Sequence, residues 1–487
     1  MDNRFKVTGV LLMFVFCICC LSKMAAAKST ALCLEDDWRL GIQTWTFRNF
    51  TFYEAIDKTA ELGLSWIEAC SFQPLSKEEP NMSMHYSMPA EIRNQVKEKL
   101  KESGVKLANY YVDSVPNGEA QCRTLFDFAR DMGIETIVSE PAEEEIDLIE
   151  KLCKEYKIKL AIHNHPKPSR YWDPDKVLAV CKGRSEWIGV CADTGHWTRS
   201  SINPAEALKK LQGRIICLHL KDVGESGNRD AEDVVYGTGK ANIEAILREL
   251  NRQDFKGVFS IEYEREGENL MTDVTGCIKY FDDVSSKLGH KRWRRLFNGK
   301  DLTGWIYKPG SWVVEPGGIL FGKGLAGVRH TDIWTEEKFG DFILDLEFKA
   351  APKSNSGVLL RTGDIEAFLH TAIEVQILDS YGKEEMTKED CGAIFDCLSP
   401  SKNAVKKPGE WNRYIITCKA NKIYVVLNGE QVIDMDLNLW TEAHKNPDGT
   451  PNKFNIAYKD MPRVGNIGLQ YHNHPIWFRN VRIKPLD

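Results

Sequence analysis

Ile188–Trp197 reads IGVCADTGHW. Its first half is a short apolar, β-prone run of the kind that fills a strand buried on both faces. Its second half brings Asp193 and His196, two metal-competent side chains, to the point where a strand hands over to a loop. The next two apolar runs repeat the arrangement: RIICLHLKD carries His219 near its end, and GVFSIEYE carries Glu262. Three successive buried strands thus finish in residues able to hold a divalent cation. Their side chains converge if all strand ends share one face, as they do in a parallel barrel.

Outward from this stretch, residues 34–288 alternate strand and helix. LGIQTWTF, SWIEAC, VKLANYYVD, ETIVSEP and IKLAIHNHP are each followed by an amphipathic segment. Helices are expected at 53–62, 120–132, 143–156, 175–181, 243–250 and 270–288, and one more carries Ile92, Val96 and Leu100 on a single face. Gly63, Gly104 and Gly133 supply stops. Asn203-Pro204 supplies an N-cap followed by proline at the first helical position. Eight such units in about 255 residues are the usual content of a (β/α)8 TIM barrel.

The strand ends form a roster: Glu68, Glu140, His163 with His165, Asp193 with His196, His219 with Lys221 and Asp222, and Glu262 with Glu264. Asp222 and Glu264 read as solvated loop residues, and Glu68 equally well as a structural hydrogen-bonder. The opposite strand ends show no such enrichment, so chance explains the set poorly. Mixed imidazole and carboxylate donors suit Mn, Co, Fe or Zn better than Ca.

This half resembles the xylose isomerase-like barrels, the sugar-phosphate isomerase/epimerase and inosose dehydratase group, on the motifs ADTGHW, HLKD and IEYE. The resemblance implies one divalent metal on Asp193, His219 and Glu262. The remaining ligand falls to Glu140 or to one of His163 and His165, because strand five reads IHNHP where many epimerases carry a glutamate. Glu140 and His165 are taken as metal ligands, His163 and Lys221 as substrate-binding, and His196 as catalytic. The missing strand-five carboxylate favours elimination or hydration next to a carbonyl over two-base epimerisation.

Past Leu288 the helical period gives way to strand alternation over residues 289–487. In DFILDLEFKA, Phe342, Leu344, Leu346 and Phe348 fall on one face. YIITCKANKIYVVLNGEQVIDMDL reads as consecutive strands with Asn428-Gly429 as a two-residue hairpin turn. A jelly-roll β-sandwich of the concanavalin/LamG-like type is expected. Glu374 and Gln376, two residues apart, share a face opposite Val375 and Ile377. With Asn355, Arg361, Asp379, Trp411, Asn412, Gln470, His472 and Arg479 they would furnish a sugar-binding groove.

LFNGKDLTGW, NSGVLLR, EVQILD, GEWN and IGLQ…FRNVRIKPL resemble the 3-keto-glycoside lyase/hydratase domain family, also described as 3-keto-disaccharide hydrolase. A ketone at C3 acidifies the C2 hydrogen. A base can then expel the C1 aglycone by elimination, and water adds back to the glucal. The expected activity is breakdown of oxidised glycosides by elimination and hydration, with Glu374 or His472 as base and Arg361 and Gln376 on the substrate oxygens. The alternative is a metal-dependent sugar isomerase or epimerase whose sandwich only binds glycan.

Residues 1–27 read as a secretory signal, with Arg4 and Lys6 before an apolar run and Ala25–Ala27 as the cleavage region. Export to the periplasm or medium is expected, and a lipoprotein less so. Of the −6 formal charge, the first 27 residues hold three basic residues and one acidic, which leaves the remainder at −8. No basic footprint for nucleic acid exists, and no later stretch is apolar enough to span a bilayer. Fourteen cysteines include three in the leader, and the other eleven show no CxxC pair and imply no disulfide framework.

Overall fold

The computed structural model describes residues 37–486, so residues 1–27, expected to be a secretory signal, lie outside the described residues. Eight parallel strands close into a barrel: β1 (Trp38–Gln43), β2 (Trp66–Cys70), β3 (Lys106–Tyr111), β4 (Thr136–Ser139), β5 (Lys159–His163), β6 (Ile188–Asp193), β7 (Ile215–Leu220) and β8 (Gly257–Ile261). β8 pairs back onto β1 in register Trp38↔Gly257 through Ile42↔Ile261. Burial on both faces explains the continuous apolar runs, and every residue of β6 is buried.

Helices form where the apolar period expects them, at Phe52–Glu61, Ala90–Glu102, Glu119–Met132, Ile146–Tyr156, Pro174–Cys181, Pro204–Lys210, Ile243–Arg252 and Leu270–Lys287. Thr51 and Glu54 close the first with reciprocal capping hydrogen bonds. One helix departs from the loop expected after β6. The Asp193 side chain accepts the His196 backbone N–H and starts a short helix, Thr194–Arg199. A strand-ending aspartate is itself an N-cap, so the loop becomes helical at once.

The second half is a two-sheet sandwich. Its strands run β9 (Arg294–Arg295), β10 (Trp305–Ile306), β11 (Trp312–Glu315), β12 (Ile319–Gly322), β13 (Ile333–Phe339), β14 (Phe342–Ala350), β15 (Asn355–Thr362), β16 (Ile373–Leu378), β17 (Trp411–Lys419), β18 (Lys422–Leu427), β19 (Glu430–Asp436), β20 (Gly465–Leu469) and β21 (Ile476–Pro485). One sheet has the order β10-β13-β20-β15-β16. The other has β11-β12-β21-β14-β17-β18-β19, with β9 paired to β21. Phe342, Leu344, Leu346 and Phe348 face a core shared with Val358, Leu360, Val375 and Ile377, all fully buried. Asn428 and Gly429 both adopt positive φ in the β18–β19 hairpin, as a type I′ turn requires.

Arg292 and Arg295 pin the halves together. Arg295 donates to the carbonyls of Ser103 and Gly104, and Arg292 to that of Gly63. His290 stacks on Trp38 with ring centroids 4.0 Å apart. These partners lie where helices end and strands begin, at the end of the barrel opposite the strand C-termini. All ten described cysteines are buried free thiols.

Two residues expected in the sugar groove serve the sandwich instead. Arg361 is fully buried at a register shift in β15, and its guanidinium donates to the Gly340 and Ala420 carbonyls and to Asp341 Oδ1, at 2.7–2.8 Å. Asn412 Oδ1 accepts from Lys406 N and Asn428 Nδ2, fixing the hairpin to the preceding loop. Gly340 and Asp341 are half-buried and Ala420 is exposed, so water can replace part of what the guanidinium supplies, and its loss costs about 1–3 kcal/mol. Arg361→Met is therefore expected to lower the denaturation midpoint while activity per folded molecule stays intact. Loss of activity at unchanged stability would return Arg361 to the groove.

Candidate functional site

At the C-terminal face of the barrel, one ligand atom from each of His163, Asp193, His219 and Glu262 lies within 4.8 Å of the others, and all four residues are buried. The atoms concerned are among the few described buried polar atoms that no hydrogen bond satisfies: His163 Nε2, Asp193 Oδ2, His219 Nδ1 and Glu262 Oε2. His219 Nδ1 lies 2.7 Å from Glu262 Oε2, and His163 Nε2 lies 3.5 Å from Asp193 Oδ2. Leaving one such atom unsatisfied costs about 1–3 kcal/mol. Four around one point make a group that could hold a metal ion.

The neighbours set each ligand. His219 Nε2–H donates to Glu68 Oε1 at 2.6 Å, which leaves Nδ1 bare toward the cluster. Asn109 and Ser260 donate to the other oxygen of Glu68. His163 Nδ1–H points to Glu140 Oε1 at 3.4 Å, leaving Nε2 bare. Both imidazoles therefore carry a carboxylate behind them, the arrangement that fixes tautomer and ring in histidine metal ligands. Asn164 brackets the Asp193 backbone through both its side-chain atoms.

Lys221 is fully buried, with Nζ 3.2 Å from Asp193, 3.2 Å from Glu262 and 2.8 Å from Glu264. Burial alone would push its pKa down, but the Asp193 and Glu262 charges override that and raise it well above the ordinary lysine value. Burial likewise disfavours the Asp193 charge, yet His196, Lys221 and His163 hold the carboxyl well below its usual range. His196 is held neutral by burial and by Lys221, against the opposing pull of Asp193. Gly195 in ADTGHW has a packing reason: a Cβ there would meet Lys221 Cβ at 2.6 Å.

The four-atom cluster keeps Asp193, His219 and Glu262 of the expected ligand set, lacks Glu140 and His165, and gains one residue. His163, expected on substrate, sits in the four-atom cluster. Glu140 and His165 form a second group that shares His163. His165 donates to Glu140 through both its backbone N–H and its ring Nδ1, so its Nε2 carries the free lone pair; its side chain is 44% exposed. Asp222 and Glu264 are not solvated loop residues. Asp222 accepts four backbone N–H groups of Val223, Gly237, Gly239 and Ala241. Glu264 pairs with Lys221 and Arg199. Arg199 and Asp233, 2.8 Å apart and buried, escaped sequence reading because neither ends a strand.

In the sandwich, Asn355, Glu374 and Gln376 share the face of the smaller sheet that points away from the core. Gln376 Nε2 donates to Asn355 Oδ1 at 2.9 Å, and its Oε1 is buried without a partner. His472 is exposed beside Asp332, and Gln470 binds β15 through its backbone. Asp379 accepts from Lys353 N in the loop before β15. Trp411 and Arg479 belong elsewhere: they stack on the outer face of the larger sheet, Arg479 4.1 Å over the Trp411 ring and paired with Glu347. Sequence reading missed Asp332 and Trp334, both buried on the smaller sheet's face.

Residues 56–280 match the xylose isomerase-like TIM barrel family, and residues 292–484 match the 3-keto-alpha-glucoside-1,2-lyase-like domain family. A 3-keto-disaccharide hydrolase of Bacteroides thetaiotaomicron is 26% identical over 227 residues, which cover 39% of this chain and 78% of that protein. A crystal structure of a candidate glycosyl hydrolase from Parabacteroides distasonis is 37% identical, covering 40% of this chain and all of that one, with a TM-score of 0.37. A second Parabacteroides distasonis protein, of unassigned function, is 35% identical over 51% of this chain and 99% of its own, with a TM-score of 0.43.

One divalent transition metal per chain is the expected content of the four-atom cluster, lost in Asp193→Ala and His163→Ala. Glu140→Gln should retain it with affinity weakened about 10–100-fold, as for an orienting carboxylate. Elemental analysis and competition with a chelator measure both. Equal metal content in wild type and Asp193→Ala would rule the cluster out.

Proposed function

We propose, for a carbohydrate-active enzyme that joins a xylose isomerase-like TIM barrel to a 3-keto-alpha-glucoside-1,2-lyase-like domain, that it is exported and degrades 3-keto glycosides by elimination and hydration. Residues 1–27 support export through their basic start, apolar run and alanine triplet. The observation that carries the chemistry is the convergence of four buried ligand atoms without hydrogen-bond partners beside a histidine that Glu140 orients.

His163, Asp193, His219 and Glu262 would hold the metal, and Mn, Co, Fe or Zn suits their two nitrogens and two oxygens. A divalent cation there would polarise the ketone oxygen of a bound sugar. His165 then serves as base for the hydrogen next to that ketone. Its Nδ1–H is committed to Glu140, its Nε2 lone pair is free, and its ring centroid lies 4.6 Å from that of His163. Glu140, held ionised below the usual carboxylate range by His163 and His165 against its own burial, stabilises the imidazolium that forms. Lys221 offsets Asp193, Glu262 and Glu264, so a neutral sugar meets a site whose charges are already matched.

With 3-keto-glucose in D2O, the full-length protein supplied with Mn should exchange the hydrogen next to the ketone, and His165→Ala should slow that exchange about 100-fold or more. Exchange at wild-type rate in the variant would remove His165 from the role. Absence of exchange by the wild type on any 3-keto sugar would sink the reading of the barrel.

A further inference from the structure

We infer that the N-terminal mouth of the barrel binds an acidic oligosaccharide, one carrying carboxylate or sulfate groups, at a site apart from the metal-competent face. The site needs no 3-keto substrate, so it stands or falls independently of that reading.

The mouth is a concavity of about 440 Å³ where the barrel strands begin, at the end away from the four ligand atoms. Every residue lining it belongs to the barrel, and its volume is that of a small-ligand cleft. Arg39, Arg130, Lys157, Lys159 and Lys256 line it, with Glu135 as the one carboxylate. The chain as a whole carries −6, so this concentration of positive charge runs against its composition. Three of the cations are committed. Arg39 donates to both Glu135 oxygens at 2.7 and 2.8 Å and covers the Trp66 ring. Arg130 pairs with Asp127 and lies over the Tyr156 ring, and Lys256 Nζ is 3.5 Å from Asp37. Lys157 and Lys159 differ. Both are exposed, and neither meets a carboxylate among the described residues.

Helix dipoles explain part of this pattern. Arg130, in the last turn of Glu119–Met132, and Lys157, just past Ile146–Tyr156, lie where helices carry partial negative charge. That account does not require Arg39 and Lys159, which sit in strands β1 and β5, or Lys256 just before β8. Lys157 carries a second signal. Its φ of 59° is in the left-handed region that a side chain disfavours. Glycine takes that conformation after the two neighbouring helices, at Gly133 and Gly183. A lysine at this position sets a charge at the mouth at a backbone cost that glycine would avoid. Between the cations stand two half-buried rings, Trp187 and Tyr156. An indole and a phenol offer flat apolar surface to the C–H face of a pyranose. Two ammonium groups without carboxylate partners, two residues apart, offer point charges to its acidic substituents. A glycan bound here leaves the metal-competent face open. The enzyme is thereby held at an acidic polymer while a small sugar enters the opposite mouth.

The test titrates the full chain calorimetrically with tetragalacturonate, a sulfated tetrasaccharide and a neutral one. At least one acidic tetrasaccharide should bind, which tells carboxylate from sulfate, and the neutral one should not. Raising salt from about 20 to 200 mM should weaken the binding severalfold, since the charges at the mouth are exposed. Lys157→Gly combined with Lys159→Gln should weaken it about 10-fold or more. Lys157→Gly alone should leave the denaturation midpoint unchanged or higher, because glycine suits the left-handed position, so lost binding is not lost folding. Wild type that binds neither acidic tetrasaccharide overturns the site. So does unchanged affinity in the double variant. A short DNA duplex held as tightly by the same two lysines also overturns it, because the mouth would then be a general polyanion contact. Hydrogen exchange on 3-keto-glucose plays no part in the titration, so failure of the 3-keto reading leaves a positive result standing, and the converse holds.

Discussion

The Asp193 carboxylate is wholly buried, and Lys221 meets its Oδ2 at 3.2 Å. Burying an unmatched charge costs several kcal/mol, so the first buried carboxylate of such a site dictates the next residue and the next. Lys221 answers Asp193, and Glu262 and Glu264 answer Lys221 in turn. Arg199 ties Glu264 to Asp233, whose Oδ2 accepts the Glu264 backbone N–H. Asp193 Oδ2 and Glu262 Oε2 meet Lys221 as ion pairs without a hydrogen bond, beside the nitrogens His163 Nε2 and His219 Nδ1. A barrel supplies the geometry for it because every strand ends on one face.

The same residue type behaves oppositely in the sandwich. Glu262 in the barrel keeps its negative charge although buried, since Lys221 and His219 outweigh the loss of water. Glu374 is buried too, but its surroundings are an indole, a leucine and a second carboxylate, and it keeps its proton instead. The first environment suits a ligand and the second an acid. Position in a strand decides neither; the cations on adjacent strands do.

That distinction marks what the sequence could tell. Strand ends, helix stops and the Asn428-Gly429 turn are local signals, and the barrel and sandwich followed from them. Asp193, His219 and Glu262 were legible because three adjacent strands repeat one pattern. The choice among Glu140, His163 and His165 was not, because it depends on which ring nitrogen Glu140 engages, and that depends on β4 lying beside β5. Arg361 misled for the same reason. In NSGVLLR its charge looked exposed by alternation, but a register shift turns it under the sheet to the Gly340 and Ala420 carbonyls. Asp332 went unseen because Glu374, the carboxylate it repels, is on the far edge strand.

The joint between the halves adds a constraint on how two sites could share one task. Arg292, Arg295 and His290 meet the barrel at Gly63, Ser103, Gly104 and Trp38, where helices finish and strands start. The ligand atoms lie at the other ends of those strands. A sugar released from the sandwich would have no direct route through the barrel, whose interior is packed with side chains such as Val138, Cys191 and Val258. It must pass through solvent around the barrel to reach the metal-competent face. Tethering then raises the local supply of an intermediate without channelling it. Such an arrangement favours a first product stable enough to survive release, which a hydrated 3-keto sugar is and an enolate is not.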